Sequence, residues 1–270
     1  MSLAPVAERA LADGDPDAAL IALQEAVKAK PADAKLRIFL FQLLCVLGRW
    51  ERALNQLDVA CQLDALALAM AQTYREAIAC EMLRAQVFEG RKTPMVFGEP
   101  EPWLALLIES LLSTGRGLDA QSRSLRQQAF DQAAASPGTL DGQPFQWIAD
   151  ADSRLGPVLE AVINGRYYWV PFARLARVDI EAPSDLRDQV WMPAHLMFEN
   201  GGEAVALIPT RYPGSETCPE GAIRLARRTE WRDAGDGCWV GLGQRILTTD
   251  ADEKPLMDVR RIDFTGKAPE

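Results

Sequence analysis

The 270-residue chain has a single histidine, His195, and none of its five cysteines is paired at C-x-x-C spacing. A zinc site takes about four histidine, cysteine or carboxylate ligands, usually at close spacings, so this composition argues against one. A catalytic triad has only His195 available as a base, and the G-x-S-x-G motif of α/β-hydrolases is absent. The phosphate-binding motifs G-x-x-x-x-G-K-[ST] and G-x-G-x-x-G are missing too. We therefore expect a protein that is not an enzyme and binds no cofactor.

Long apolar runs are also missing. The longest candidate, residues 38–47, is interrupted by Gln42 and is shorter than the ~20 residues of a membrane-spanning helix. The N-terminal segment carries Glu8 and Asp13 and has no basic start followed by an apolar run, which predicts no signal peptide. The net charge of -9 disfavours nucleic acid and anionic membranes as partners. These features indicate a cytoplasmic protein.

Proline and tryptophan are distributed unevenly along the chain. Residues 32–93 contain no proline, whereas residues 136–270 contain eleven of the 17 prolines and five of the seven tryptophans. Long helices contain few proline breakers, and short strands joined by turns contain many. We therefore predict an α+β protein, with a helical domain at 1–135 and a linker at 136–144. A C-terminal domain at 145–270 should form a small mixed β-sheet with one or two helices.

An internal repeat of 34 residues occupies the first half of the chain. Five residues recur at this offset: Gly14, Ala19, Leu20, Leu23 and Ala26 return as Gly48, Ala53, Leu54, Leu57 and Ala60. This period and these small residues are typical of the tetratricopeptide repeat, a stack of helical hairpins. Asp15-Pro16 provides an N-cap and a first helical residue, and Asp33 can cap the following helix.

Further helices follow the repeat. Residues 66–89 predict a long helix that buries Leu66, Met70, Tyr74 and Ile78, because apolar residues four apart share one helix face. Residues 103–113 and 118–134 predict a third, weaker hairpin.

The C-terminal half has fewer regular patterns. Residues 154–163 predict a short helix. Residues 167–172 and 259–264 are rich in strand-forming residues, and residues 191–198 and 204–208 predict a hairpin joined by E-N-G-G. Two further segments, 238–242 and 245–247, predict either a strand pair or one bent strand.

Asp150 and Asp152 are the strongest candidates for chemistry. Two carboxylates two residues apart can hold Mg²⁺, which suggests a metal-dependent enzyme. However, Arg154 follows directly and can form an ion pair with one of them, and Asp152 can cap a helix. We favour these two structural roles.

Arg211 and Tyr212 are candidates for protein binding. They follow a predicted strand and precede a Pro-Gly turn, and residues of these types are enriched in protein interfaces. With Trp191 and Asp188 they form our hypothetical docking set. The alternatives are that Arg211 pairs internally with an acid such as Asp188, or that these motifs specify the core and turns. A groove between the helical hairpins is a further possible docking site.

Six C-terminal motifs carry a family resemblance. They are PFQWIADADSRLGP (144–157), NGRYYWVPF (164–172), DLRDQVW (185–191), IPTRYPGSE (208–216), TEW (229–231) and GLGQR (241–245). In this order and spacing they closely resemble the ImpE/SciE/TagJ family of bacterial type VI secretion accessory proteins.

The resemblance implies a non-enzymatic role. It also implies binding to the small sheath subunit, TssB, through a helix near that subunit's N-terminus, and a connection between the sheath and the AAA+ unfoldase ClpV. The resemblance transfers no catalytic residues and no residue-level binding motif. A generic peptide-binding repeat scaffold outside secretion is the alternative that the helical repeats alone support.

Overall fold

The first half of the chain is helical. The computed structural model describes residues 4–235 and 237–265. Its helices are α1 (Ala4–Ala12), α2 (Pro16–Ala29), α3 (Ala34–Val46), α4 (Trp50–Leu63), α5 (Leu68–Phe88), α6 (Pro102–Gly115), α7 (Asp119–Gln132) and the short α8 (Gly221–Arg224). In these described ranges no helix has both the length and the apolar character needed to cross a membrane.

The 34-residue repeat forms two helical hairpins, α1–α2 and α3–α4. Their turn glycines, Gly14 and Gly48, have φ angles of 83° and 63°, which glycine adopts without steric cost. Asp15 accepts hydrogen bonds from two backbone N–H groups of α2, at 3.1 and 2.8 Å, and Asp33 caps α3 similarly. The repeated positions Ala19, Leu23 and Ala26, and their counterparts Ala53, Leu57 and Ala60, are all buried.

The long helix α5 begins two residues later than predicted. A 3₁₀ turn at Ala65–Ala67 precedes it, and Asp64 accepts a hydrogen bond from the backbone N–H of Leu66 at 2.9 Å. Tyr74 and Ile78 are buried as predicted, but Leu66 is 90% exposed. The prediction for Leu66 is wrong because this residue lies in the turn, where the helical spacing that would direct it inward has not yet started.

The second half consists of short strands. They are β1 (Met95–Val96), β2 (Gly138–Leu140), β3 (Gln143–Phe145), β4 (Ile148–Asp150), β5 (Val158–Ile163), β6 (Arg166–Pro171), β7 (Leu175–Ile180), β8 (Trp191–Phe198), β9 (Glu203–Pro209), β10 (Thr229–Asp233), β11 (Trp239–Gly243), β12 (Ile246–Thr249), β13 (Glu253–Pro255) and β14 (Arg261–Phe264). Nine form a mixed sheet in the order β1-β6-β5-β9-β8-β7-β14-β2-β3. Strands β10 and β11 form a hairpin, and β13-β12-β4 a third sheet. The α+β prediction is confirmed.

Strand β5 replaces the short helix predicted at 154–163. All six of its residues are buried. Val158 and Val162 pack in the core shared with the helices, whereas Leu159 and Ala161 pack in a second core on the other face of the sheet. A strand that is covered on both faces loses the alternation of apolar and polar residues, so its sequence does not differ clearly from that of a buried helix.

Two other C-terminal expectations differ from the structure. The segments at 238–242 and 245–247 belong to different sheets: β11 pairs with β10, and β12 pairs with β13 and β4. Gly243, with a φ of 91°, separates them.

The segment 136–144, which we expected to be a linker, contains β2 and most of β3 at the edge of the large sheet. The division of the chain into two domains at this segment stays a prediction. The hairpin predicted at 191–208 is present as β8 and β9.

Candidate protein-binding surface

The four residues of the hypothetical docking set are buried. The exposed fractions are 5% for Arg211, 1% for Tyr212, 0% for Trp191 and 2% for Asp188. The expectation that they form an accessible surface is therefore wrong, because a partner cannot reach them without unpacking the core. Partner binding has to use other residues.

Trp191 holds the sheet against the helices, and Asp188 fixes the turn that precedes it. The Trp191 indole N–H donates to the Glu81 carboxylate of α5 at 3.0 Å, and the ring lies 5.6 Å from that of Tyr74. Asp188 caps the 3₁₀ turn at Leu186–Gln189 by accepting from the backbone N–H groups of Ser184 and Asp185, both at 2.7 Å. Trp191 therefore specifies packing between the two halves, and Asp188 specifies a local turn.

Arg211 and Tyr212 also make internal contacts. The Arg211 guanidinium donates to the carbonyl oxygen of Val46, at 2.8 Å, where α3 ends, and to that of Arg224. Cations at helix C-termini interact favourably with the helix dipole. Within the described ranges Arg211 forms no salt bridge with Asp188, and the carboxylates that act on its guanidinium are those of Glu216 and Glu81. The Tyr212 hydroxyl donates to Asp150 at 3.0 Å.

A buried set of charged groups joins helix α5 to the sheet, and we call Arg84, Glu160, Arg245 and Asp150 the junction network. Arg84 donates twice to the Glu160 carboxylate, at 2.6 and 2.9 Å. Arg245 lies 3.3 Å from Glu160 and donates to Asp150 at 2.8 Å. Burial raises the pKa of the Glu160 carboxyl, but the two guanidinium groups more than offset this and hold it below its ordinary value.

The two aspartates proposed as a metal site are occupied by internal partners. Asp152 accepts from Arg154 at 2.9 and 2.6 Å and from the backbone N–H of Gly241 at 2.9 Å. Asp150 is paired with Arg245 and Tyr212. Burial raises the pKa of Asp150 to about 6, with Arg245 opposing the rise. A shifted pKa occurs in structural ion pairs as well as in active sites, so the shift of Asp150 does not by itself indicate catalysis. Because both carboxylates already have internal partners, these contacts indicate a structural role.

No group of three or more potential metal ligands occurs in the described ranges. His195 lies on β8, where its Nε2 is 3.3 Å from a carboxylate oxygen of Glu203 across the β8–β9 hairpin.

One face of the helical hairpins, which we considered as a docking groove, is covered by the sheet. The second half of α3 is buried throughout, and its Phe41 belongs to the same core as Trp169 and Trp191 of the sheet. The Trp50 ring at the start of α4 lies 6.1 Å from that of Trp191. The chain's own sheet thus occupies this face of the hairpins.

A different groove is open along α7. Three adjoining cavities of about 210, 380 and 420 Å³ lie between this helix and the strands β4, β10 and β11. The first two share Arg123 and Arg126 in their walls, and the second and third share Phe130 and Ser153. We call this continuous depression the α7 groove.

One end of the α7 groove is basic. Four arginines line it, Arg123, Arg126, Arg154 and Arg232, together with a single acid, Asp119. Arg154 is held by its ion pair with Asp152 and stacks over a phenylalanine ring. Within residues 4–235 and 237–265, no salt bridge involves Arg126 or Arg232. This positive charge contrasts with the chain's net charge of -9.

The other end of the α7 groove is apolar. Its cavity of about 420 Å³ is walled by Phe130 of α7, by Ile148 and Pro157, and by Trp147, which is 41% exposed. Trp147 and the arginines of α7 were not among the binding residues predicted from the sequence. A usable signal was present: Arg123 and Arg126 are three residues apart and therefore share a face of a polar helix.

Comparison with known proteins relates this fold to type VI secretion. The family model described as ImpE protein matches residues 142–263, and a tetratricopeptide repeat model matches residues 10–72. A curated protein from Pseudomonas aeruginosa, the type VI secretion system accessory component TagJ, is 52% identical over 97% of this chain and 92% of its own length. The chain belongs to the ImpE/SciE/TagJ family.

A solved structure supports the same relationship. The crystal structure of a protein from Vibrio parahaemolyticus matches with a TM-score of 0.88 and 28% identity, over 97% of this chain and 98% of that one. The match covers both the helical hairpins and the sheet. The fold that this chain shares with that protein therefore includes both halves of the molecule.

Proposed function

We propose that this chain is a non-enzymatic adaptor of the bacterial type VI secretion system that works in the cytoplasm. It binds the small sheath subunit through a helix near that subunit's N-terminus and links the sheath to the AAA+ unfoldase ClpV. The observation that carries this proposal is the 52% identity with an accessory component of that system over 97% of the chain.

The side-chain contacts support binding in place of catalysis. Asp150 and Asp152, the candidates for catalysis, are neutralised by Arg245 and Arg154 at distances below 3 Å. The α7 groove, in contrast, presents arginines and an exposed tryptophan, which are residue types that dominate binding energy in protein interfaces. A relative named for type VI secretion also favours this adaptor over a peptide scaffold outside secretion.

Isothermal titration with a peptide covering the N-terminal helix of the cognate small sheath subunit tests the proposal. We expect saturable one-to-one binding with a Kd on the order of micromolar, equivalent to about -8 kcal/mol. A peptide of the same composition in scrambled order is the control. No heat at two temperatures, with a protein shown to be folded by circular dichroism, would contradict sheath binding.

The link to the unfoldase needs a separate measurement. We expect the N-terminal domain of ClpV to co-elute with the adaptor and the sheath subunit in size-exclusion chromatography. If the unfoldase domain elutes alone while adaptor and sheath subunit co-elute, the protein is a sheath-binding accessory that does not connect to ClpV.

A further inference from the structure

We propose that the α7 groove is the surface that holds the partner's helix, and that this helix carries acidic side chains next to one large apolar side chain. The acidic side chains face Arg126 and Arg232, and the apolar side chain enters the cavity beside Trp147. This inference rests on the proposed function, because the sheath subunit's helix is the occupant.

The charge of the groove selects an acidic occupant. A chain with a net charge of -9 repels acidic segments over most of its surface. An acidic segment is attracted only where arginines are in local excess, as they are in this groove. Asp152 balances Arg154, whereas Arg126 and Arg232 have no carboxylate partner in the described ranges. The two arginines line the same cavity from different elements, Arg126 from α7 and Arg232 from β10. A helix between them can place carboxylates against both.

The apolar cavity has room for a large anchoring side chain. Its volume of about 420 Å³ falls within the range of ~300–1,000 Å³ for ligand pockets. Its wall is preformed, because Phe130 packs directly on Gly156, where a Cβ atom would lie only 2.4 Å from the ring. A hydrogen bond of 2.7 Å from the backbone N–H of Gln146 to Asp250 fixes the segment that carries Trp147.

The dimensions of the groove match a short helix. The 14 residues of α7 span about 21 Å, and a helix lying alongside would present a similar number of residues. Arg126 and Phe130 are four residues apart, about one turn. The ligand therefore needs its acidic side chains about one to two turns from its apolar anchor.

Two variants of the chain test the groove directly. In the titration with the sheath-subunit peptide, we expect the double variant Arg126→Glu/Arg232→Glu to lose at least tenfold in affinity, and Trp147→Ala to lose about tenfold or more. The controls are Arg52→Glu, an exposed arginine on α4, and Leu66→Ala, at the 90% exposed leucine, neither of which lines the groove. Both controls should bind as the unchanged protein does. Thermal melts establish that all four variants fold.

A modified peptide tests the chemistry of the occupant. A copy with its aspartates and glutamates replaced by asparagine and glutamine should bind the unchanged protein at least tenfold more weakly. The affinity of this neutral peptide should fall little further when the protein carries Arg126→Glu/Arg232→Glu. Equal binding of the original peptide to both groove variants and both controls would overturn the groove assignment while leaving sheath binding intact. No binding of that peptide to the unchanged protein would instead overturn the proposed function, and the groove assignment with it.

Discussion

The junction network and the α7 groove use the same residue types for opposite purposes. In the junction, Arg84 is 4% exposed and has both a carboxylate and a carbonyl partner. In the groove, Arg126 has no salt-bridge partner in the described part of the chain. The same contrast separates Trp191, which is fully buried, from Trp147, which is 41% exposed. Burial, and not residue type, decides whether an arginine or a tryptophan stabilises the fold or is available to a partner.

The largest expected effect concerns the arginines of the two regions. Arg84→Met leaves the Glu160 carboxylate with only part of its compensation in the core, and we expect a loss of about 3–5 kcal/mol in the free energy of unfolding. Arg126→Met in the groove is the matched control and should change it by about 0.5 kcal/mol or less. Urea denaturation measures both. Equal losses would break the distinction between the two regions.

The two tryptophans should differ in the same direction. Trp191→Ala removes a buried ring from the core shared by helices and sheet, at an expected cost of about 3–5 kcal/mol. Trp147→Ala removes a ring at the rim of the groove, and we expect a loss of about 1 kcal/mol or less. The midpoints of urea unfolding curves test this. A Trp147→Ala variant as unstable as Trp191→Ala would show that Trp147 is a core residue.

Removing the hydroxyl group of a buried or a half-buried tyrosine should have a smaller effect on the free energy of unfolding. The Tyr212 hydroxyl donates to a buried oxygen of Asp150 and accepts from the backbone N–H of Ile246 at 3.0 Å. The variant Tyr212→Phe removes both hydrogen bonds. We expect a loss of about 1–3 kcal/mol. Tyr168→Phe is the control, because this tyrosine is half-buried and contacts Phe97 through its ring. Thermal unfolding should distinguish the two variants, and a neutral Tyr212→Phe would argue against a structural role for Asp150.

The pH dependence should show the smallest effect. The pKa of Glu160 is lowered in the folded state, so its ionised form contributes stability above its unfolded value of about 4.3. That contribution is lost as the pH falls through the folded pKa. The difference in unfolding free energy between the unchanged protein and Glu160→Gln should therefore be largest near pH 7 and shrink below about pH 4. Urea titrations at pH 7, 4 and 3 measure it, and a difference that stays constant down to pH 3 would contradict the shift.

Features that depend on neighbouring residues in the chain were predictable. The offset of 34 residues located both hairpins of the repeat, and Asp15 and Asp33 cap the helices that follow them. The E-N-G-G turn located the β8–β9 hairpin. The family resemblance was carried by motifs that the ImpE family model also covers, at residues 142–263.

Features that depend on distant contacts were not predictable. The sequence analysis placed Arg211 and Tyr212 on the surface because their residue types are common in interfaces, yet they contact the end of α3 and the buried Asp150. It predicted a helix where β5 lies because packing on both faces removed the alternating pattern. The α7 groove combines residues more than 100 positions apart, Arg126 and Arg232, and no local pattern connects them.

The helical repeat, the main hairpin and the family could therefore be identified from the amino-acid sequence, because helix caps, turns and short motifs are local properties of the chain. Which charged and aromatic residues are buried and which line an open groove depends on contacts between distant segments, and these are visible only in the folded molecule. An arginine has the same chemistry in both places. Its role depends on whether a carboxylate from another part of the chain lies beside it and on whether water can reach it.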